Sequence, residues 1–186
     1  MPLKSLFRGL FGGNAPKQAL VIRSINITES GLEIDGRQVD ILSHISELEG
    51  IFGKARATGF KTDSDSKDFL EELHGKGMVT KRVNYTWDEL GIYCYTDNGT
   101  VASSIGIRLS KDSDVYKYTP KKVFTGTVTI EGRPWFQVIS NGEDMEFFRK
   151  YEMGALSIVS EYADPFYEGE RTESGYVDLE ISIRIG

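Results

Sequence analysis

The sequence predicts an α+β fold: a mainly antiparallel, strongly twisted sheet with two or three short helices on one side. Three observations carry this. Val177, Leu179, Ile181, Ile183 and Ile185 alternate with Asp178, Glu180, Ser182 and Arg184, the period-two pattern of a half-buried antiparallel strand. Apolar runs near 91–96 and 100–109 flank Asn98–Gly99, a short-range hairpin signal because both residue types tolerate positive φ. Ile45, Leu48, Ile51 and Phe52 instead recur at helical spacing.

Taken in order, Leu3, Leu6, Phe7, Leu10 and Phe11 form an amphipathic helical stripe with Lys4 and Arg8 on the other side, ended by Gly12–Gly13. An isolated helix of barely three turns is marginal in water, so it needs a surface: its own domain, a partner, or a membrane interface. Residues 1–18 are read as this segment plus a linker, and 19–186 as a single domain. Val21, Ile25 and Ile27 start a strand. A turn near Thr28–Gly31 leads into Leu32 and Ile34, and Asp35–Gly36 marks the next turn. Ser43 is the expected N-cap of the helix that Gly53 ends.

Residues 61–68 read as a polar loop, and Phe69, Leu70 and Leu73 as a short helix. Strands are expected around 79–86, 91–96, 100–109, 122–131 and 134–139, with a turn at Glu131–Gly132–Arg133. Residues 143–161 fit a helix followed by a strand, and 163–175 an exposed loop.

Charge is unevenly placed. The net charge is -6, yet residues 143–180 hold eleven acidic and three basic side chains, whereas 1–37 hold three and five. This acidity either solvates a face or steers a basic partner. It argues against nucleic acid, which is held by Lys and Arg on phosphates. The one cysteine, Cys94, makes no internal disulfide, and no apolar run approaches the roughly 20 residues of a membrane-spanning helix. A cytoplasmic, soluble protein is expected.

The search for chemistry returns little. His44, His74 and Cys94 lack the clustered spacing of a zinc site. Asp63, Asp65 and Asp68 imitate a calcium loop, but its sixth and twelfth positions hold Asp68 and His74 where Gly and Glu are needed. No Gly-rich phosphate loop and no GxSxG elbow occurs. Cys94 lies within a strand, where cysteine acts as a small buried hydrophobe. No catalytic residue, metal or cofactor is assigned; acid–base chemistry by some of the 28 Asp and Glu stays open.

Trp87, Tyr93, Tyr95, Trp135 and Phe136 fall on expected strands and read as core. Tyr162, Phe166 and Tyr167 differ, because they sit in or beside a loop bearing Asp164, Glu168, Glu170 and Glu173. Aromatic anchors within a charged rim suit a protein-binding surface.

The order Leu32-Glu33-Ile34-Asp35-Gly36, Ile51-Phe52-Gly53-Lys54, Trp87-Asp88-Glu89-Leu90-Gly91-Ile92-Tyr93, Phe124-Thr125-Gly126 and Ile130-Glu131-Gly132 resembles a bacterial domain family of unknown function over roughly residues 20–140. Members resemble small proteins found near secreted-toxin genes. The resemblance implies an immunity-type protein whose partner is a cognate toxin, and it carries over no catalytic residue. The alternatives are a membrane-edge or assembly adaptor acting through residues 1–13, and an enzyme using carboxylates.

Overall fold

The computed structural model describes residues 20–59, 82–110, 119–169 and 171–184. The chain runs β1 (Ser24–Thr28), β2 (Gly31–Ile34), β3 (Arg37–Val39), α1 (Ile45–Phe52), β4 (Arg56–Gly59), β5 (Val83–Trp87), β6 (Ile92–Thr96) and β7 (Ala102–Arg108). It continues through β8 (Thr127–Ile130), β9 (Arg133–Pro134), α2 (Trp135–Ile139), β10 (Glu143–Asp144), β11 (Phe148–Met153), β12 (Leu156–Glu161) and β13 (Asp178–Ile183). A 3-10 turn at Glu173–Gly175 precedes β13.

The molecule is richer in β-structure than the expected α+β arrangement, and the described strands form two sheets instead of one. The smaller has the order β3-β2-β1-β8-β9 and the larger β10-β11-β12-β13-β7-β6-β5-β4. The larger sheet pairs antiparallel throughout; β1 and β8 pair parallel, joining residues a hundred positions apart such as Ile27 and Ile130. One hydrophobic core joins Ile25, Ile27 and Leu32 of the small sheet to Ile92, Ile105, Leu179 and Ile181 of the large one. That burial supplies most of the stability, at about 25 cal/mol per Å² of apolar surface.

Local chemistry sets the hairpins. Asp35 and Glu131 sit at positive φ (47° and 49°), each followed by a positive-φ glycine, as a two-residue turn matched to strand twist requires. The Asp35 carboxylate fixes the first of these by accepting from the amides of Arg23 and Ser24 at 3.0 and 2.9 Å.

Three expectations are corrected. The cap of α1 is His44, not Ser43: its Nδ1 accepts from the Ser46 amide at 3.2 Å, and Glu47 reaches back to the His44 amide. This is a capping box, and Ser43 is buried instead. Residues 135–139 are helix, not strand, because Trp135, Val138 and Ile139 are buried at i, i+3 and i+4 while Gln137 is exposed. The helix expected early in 143–161 is replaced by the hairpin β11–β12, closed at Met153↔Leu156. The expected polar loop at 61–68, the helix near 69–75 and the amphipathic stripe at 3–11 lie outside the described residues.

The Trp87–Tyr93 string is explained by packing. Trp87 Nε1 donates to the Gly53 carbonyl at 2.7 Å and the ring meets Phe52 edge-on at 4.9 Å, tying α1 to β5. The Asp88 carboxylate takes both Nε and Nη2 of Arg56 at 2.8 Å and the Lys121 amide at 3.2 Å. This bidentate pair holds its carboxyl below the usual range. At Gly91 a Cβ would lie 2.2 Å from the Phe124 amide nitrogen, so only glycine lets the two backbone stretches pass so closely.

Candidate functional site

The acidic-aromatic loop is the extended connection between β12 and β13. Its neck is closed by the antiparallel bridge Tyr162↔Tyr176 and by amide-to-carbonyl bonds from Ala163 to Gly175 and from Val177 to Glu161. Beyond the neck the chain is shaped by one cation. Arg171 Nη1 donates to the Asp164 carbonyl at 2.6 Å, and its Nη2 donates to the carbonyls of Pro165 and Tyr167 at 3.2 Å each. Its guanidinium lies 3.7 Å from the centre of the Tyr162 ring, a cation–π contact that fixes the head of the side chain. The Asp164 carboxylate accepts from the Phe166 amide at 3.0 Å, completing a tight turn.

This scaffold presents two aromatic rings to solvent. Phe166 is 81% exposed and Tyr167 54%. Asp164 and Glu168 are exposed beside them and Glu173 is exposed farther along the loop, while Glu170 lies outside the described residues. Tyr162 is buried and serves the base of the loop. Its hydroxyl donates to Asp144 Oδ1 at 2.5 Å and accepts from Arg149 Nε at 3.3 Å. Arg149 also bonds Asp144 Oδ2 at 2.5 Å and the Ser140 carbonyl at 2.7 Å. The Tyr162 hydroxyl and Arg149 together hold the Asp144 carboxyl below its ordinary range.

Glu173 has a second role: its Oε1 accepts from Trp135 Nε1 at 3.2 Å, fastening the far end of the loop to α2. Trp135, Phe136, Tyr162 and Tyr176 surround that end as an aromatic cluster, with ring centres 5.4–5.9 Å apart. Among the described residues the buried Tyr176 hydroxyl has no hydrogen-bond partner. A cleft flanks each side. One, about 640 Å³, is lined by Phe136, Asp144, Arg149, Tyr167 and Arg171. The other, about 700 Å³, is lined by Phe124, Thr127, Trp135, Glu173 and Tyr176.

Sequence reading thus found the exposed rings and the carboxylates but missed Arg171, Arg149, Asp144 and Trp135, which give the loop its shape. Arg171 carried a signal, being the one basic residue among the acidic ones of 161–176. The others come from elements distant in sequence.

A second polar constellation lies on the large sheet. The Tyr93 hydroxyl donates to Asp178 Oδ2 at 2.6 Å. The Tyr93 ring crosses β7 over Gly106, where a Cβ would fall 2.0 Å from the ring. Burial raises the Asp178 carboxyl to about 7, with Glu161 and Glu180 adding to the rise. Glu180 is raised by the same cause. Neither carboxylate lines the clefts beside the loop. Cys94 is fully buried and its thiol is pushed up to about 12 by that burial, as suits a small core residue. Among the described residues no group of three or more His, Cys, Asp or Glu is arranged to hold a metal ion. No described helix is long and apolar enough to cross a membrane.

No curated protein and no solved structure matches the chain. One family model does, a domain of unknown function (DUF7738), over residues 24–145. The match takes in the small sheet, α1, the Trp87–Tyr93 string and α2, and stops before β11, so the acidic-aromatic loop lies beyond it. With about two thirds of its length matched, the chain belongs to this DUF7738 family.

Proposed function

We propose that the chain is a protein-binding domain that engages a basic partner through the loop from Tyr162 to Glu173. The observation that supports this is Phe166, 81% exposed on a backbone that Arg171 ties at three carbonyls. A large apolar ring held out in water gains most when a partner desolvates it, and a loop already in shape loses little entropy on binding. Asp164 and Glu168 next to it, with Glu173 farther along the loop, favour a partner rich in Lys and Arg, and charge of one sign speeds encounter. In its most specific form the reading is an immunity-type inhibitor acting in the cytoplasm, which occludes a toxin by covering its basic working surface.

The test is co-expression with the product of the neighbouring gene, followed by co-purification and a growth assay. Binding that weakens at least about tenfold in the Phe166→Ala, Tyr167→Ala double variant supports the reading. A complex indifferent to both substitutions removes the loop from it, and absence of both complex and protection removes the immunity role.

A further inference from the structure

Seven large apolar side chains are exposed among the described residues, and four of them fall on two short segments: Met145 and Phe147 on one, Phe166 and Tyr167 on the other. Met145 is 38% exposed and Phe147 50%. Both sit at the tight turn joining β10 to β11, which the Met145 amide closes by donating to the Phe148 carbonyl at 2.9 Å. This turn stands against the loop. The register Phe148↔Glu161, continued by one residue, sets Phe147 opposite Tyr162, and the Tyr162 amide donates to the Phe147 carbonyl at 3.0 Å. The Tyr162 hydroxyl donates to Asp144, the residue before Met145. Arg171, stacked on the Tyr162 ring, holds the carbonyls of Pro165 and Tyr167. One tyrosine thus fastens both segments, and the cleft of about 640 Å³ is lined by Asp144 from β10 and by Tyr167 and Glu168 from the loop.

We propose that the segment Glu143–Phe147 and the loop are the two halves of one docking surface, which takes a protein partner through an apolar patch ringed by Lys and Arg. This rests on the reading of the loop as a protein-binding element and adds a second contact region from another strand connection. Exposed apolar side chains scattered singly need no explanation, but two such pairs fastened side by side mark an interaction surface. Charge selects the partner. Residues 143–147 and 164–168 carry five carboxylates, those of Glu143, Asp144, Glu146, Asp164 and Glu168, and no cation. All five residues are exposed. The cations next to them face inward. Arg149 donates to the Ser140 carbonyl, the Tyr162 hydroxyl and Asp144, and Arg171 donates to three loop carbonyls. Lys150 pairs with Glu152. Arg149 offsets one of the five carboxylates, so the outer surface stays acidic and disfavours an acidic partner. The rings supply affinity when a partner desolvates them. Both halves are already tied to Tyr162, so little chain is left to order on binding.

The test is NMR on the full chain, titrated with an amphipathic peptide of Leu and Lys about four helical turns long, and with a peptide of Leu and Glu in the same pattern as control. With the Lys peptide, the Met145 methyl and the rings of Phe147, Phe166 and Tyr167 are expected to shift together along one binding curve. With the Glu peptide they are expected to stay in place. The Met145→Ala, Phe147→Ala double variant is expected to weaken binding about tenfold, as is the Phe166→Ala, Tyr167→Ala double variant. Unchanged methyl shifts at Ile158 and Ile181 report that the fold survives in both. Shifts confined to the loop rings, with the turn variant binding like the parent, overturn the proposal and leave the loop reading standing. No shift at either segment overturns both. An equal response to the two peptides removes the charge selection and overturns the proposal. Ring shifts that follow protein concentration without peptide identify a second copy of the chain as the occupant and overturn it as well.

Discussion

The two faces of the large sheet make an instructive pair. On one, Leu179, Ile181, Ile107, Ile105, Ile92 and Cys94 lie in register and are fully or almost fully buried. On the other, Asp178, Glu180, Gly106, Ser104, Tyr93, Thr86 and Asn84 lie in register. The alternation in β13 predicts a dry face and a wet one. The second face is polar but not wet: Asn84, Thr86, Ser104 and Arg108 are buried, and Asp178 and Glu180 are partly so. Binary patterning therefore reports which side chains share a face. It does not report how much water that face meets. A polar face removed from water must satisfy its groups internally, as Tyr93 does for Asp178 and Asn84 for the Thr86 hydroxyl.

The contrast can be broken from either side. The largest effect is expected on the apolar face: Ile181→Ala, at a fully buried position, should cost about 3 kcal/mol by lost transfer energy and a residual cavity. Urea denaturation reads this directly. On the polar face, Gly106→Ala should cost about 2 kcal/mol, because the new methyl displaces the Tyr93 ring and breaks its bond to Asp178. Loss of stability without any shift of the Tyr93 ring resonances would contradict that cause.

Asp178 gives the polar face a pH signature. Its carboxyl titrates near 7 in the fold, against about 3.9 in an unfolded chain. Its raised value means the protonated form is favoured on folding, so its stabilising contribution is complete below about pH 4 and is lost as pH rises towards 7. Glu180 acts in the same direction. Asp178→Asn keeps an acceptor for Tyr93 and removes the charge. At pH 8 it should match or exceed the parent by roughly 1–2 kcal/mol, with a flatter profile between pH 4 and 7. A parent whose stability climbs over that interval would refute the assignment.

The smallest stability effect belongs to the loop. Phe166→Ala should change stability by less than about 0.5 kcal/mol, since the ring touches mostly water, and should show itself only in binding. Arg171→Ala, by contrast, frees three carbonyls and two aromatic faces, those of Tyr162 and Tyr167. It should speed hydrogen exchange across 164–168 without moving the core, which separates loop order from fold stability.

Much of the fold was legible because it is local. The β1–β2 hairpin, the Asp35–Gly36 and Glu131–Gly132 turns, the buried stripe of α1 and the β13 alternation each follow from a handful of neighbouring residues. The exposed loop and its rings were legible for the same reason. Residues 135–139 misled because a short apolar run serves equally as strand or helix until its neighbours are known. The hairpin β11–β12 misled because Met145, Phe147, Phe148 and Tyr151 also fit a helical period, and only pairing with β13 and β10 makes strand the better state. In the candidate site, the supports Asp144, Arg149 and Trp135 reach the loop from other strands and from α2, a proximity no spacing encodes.

The sequence by itself determined which residues share a face, where the chain turns, and that acidity and exposed aromatics gather near the end. Tertiary structure alone decided that there are two sheets, that β1 pairs parallel with β8, and that the polar face of β13 is enclosed. It also decided that one arginine shapes the loop between β12 and β13. The pleat and the turn are properties of adjacent dihedral angles and are written in neighbouring residues. Solvation and long-range pairing depend on what arrives from far along the chain, and only the folded molecule fixes that.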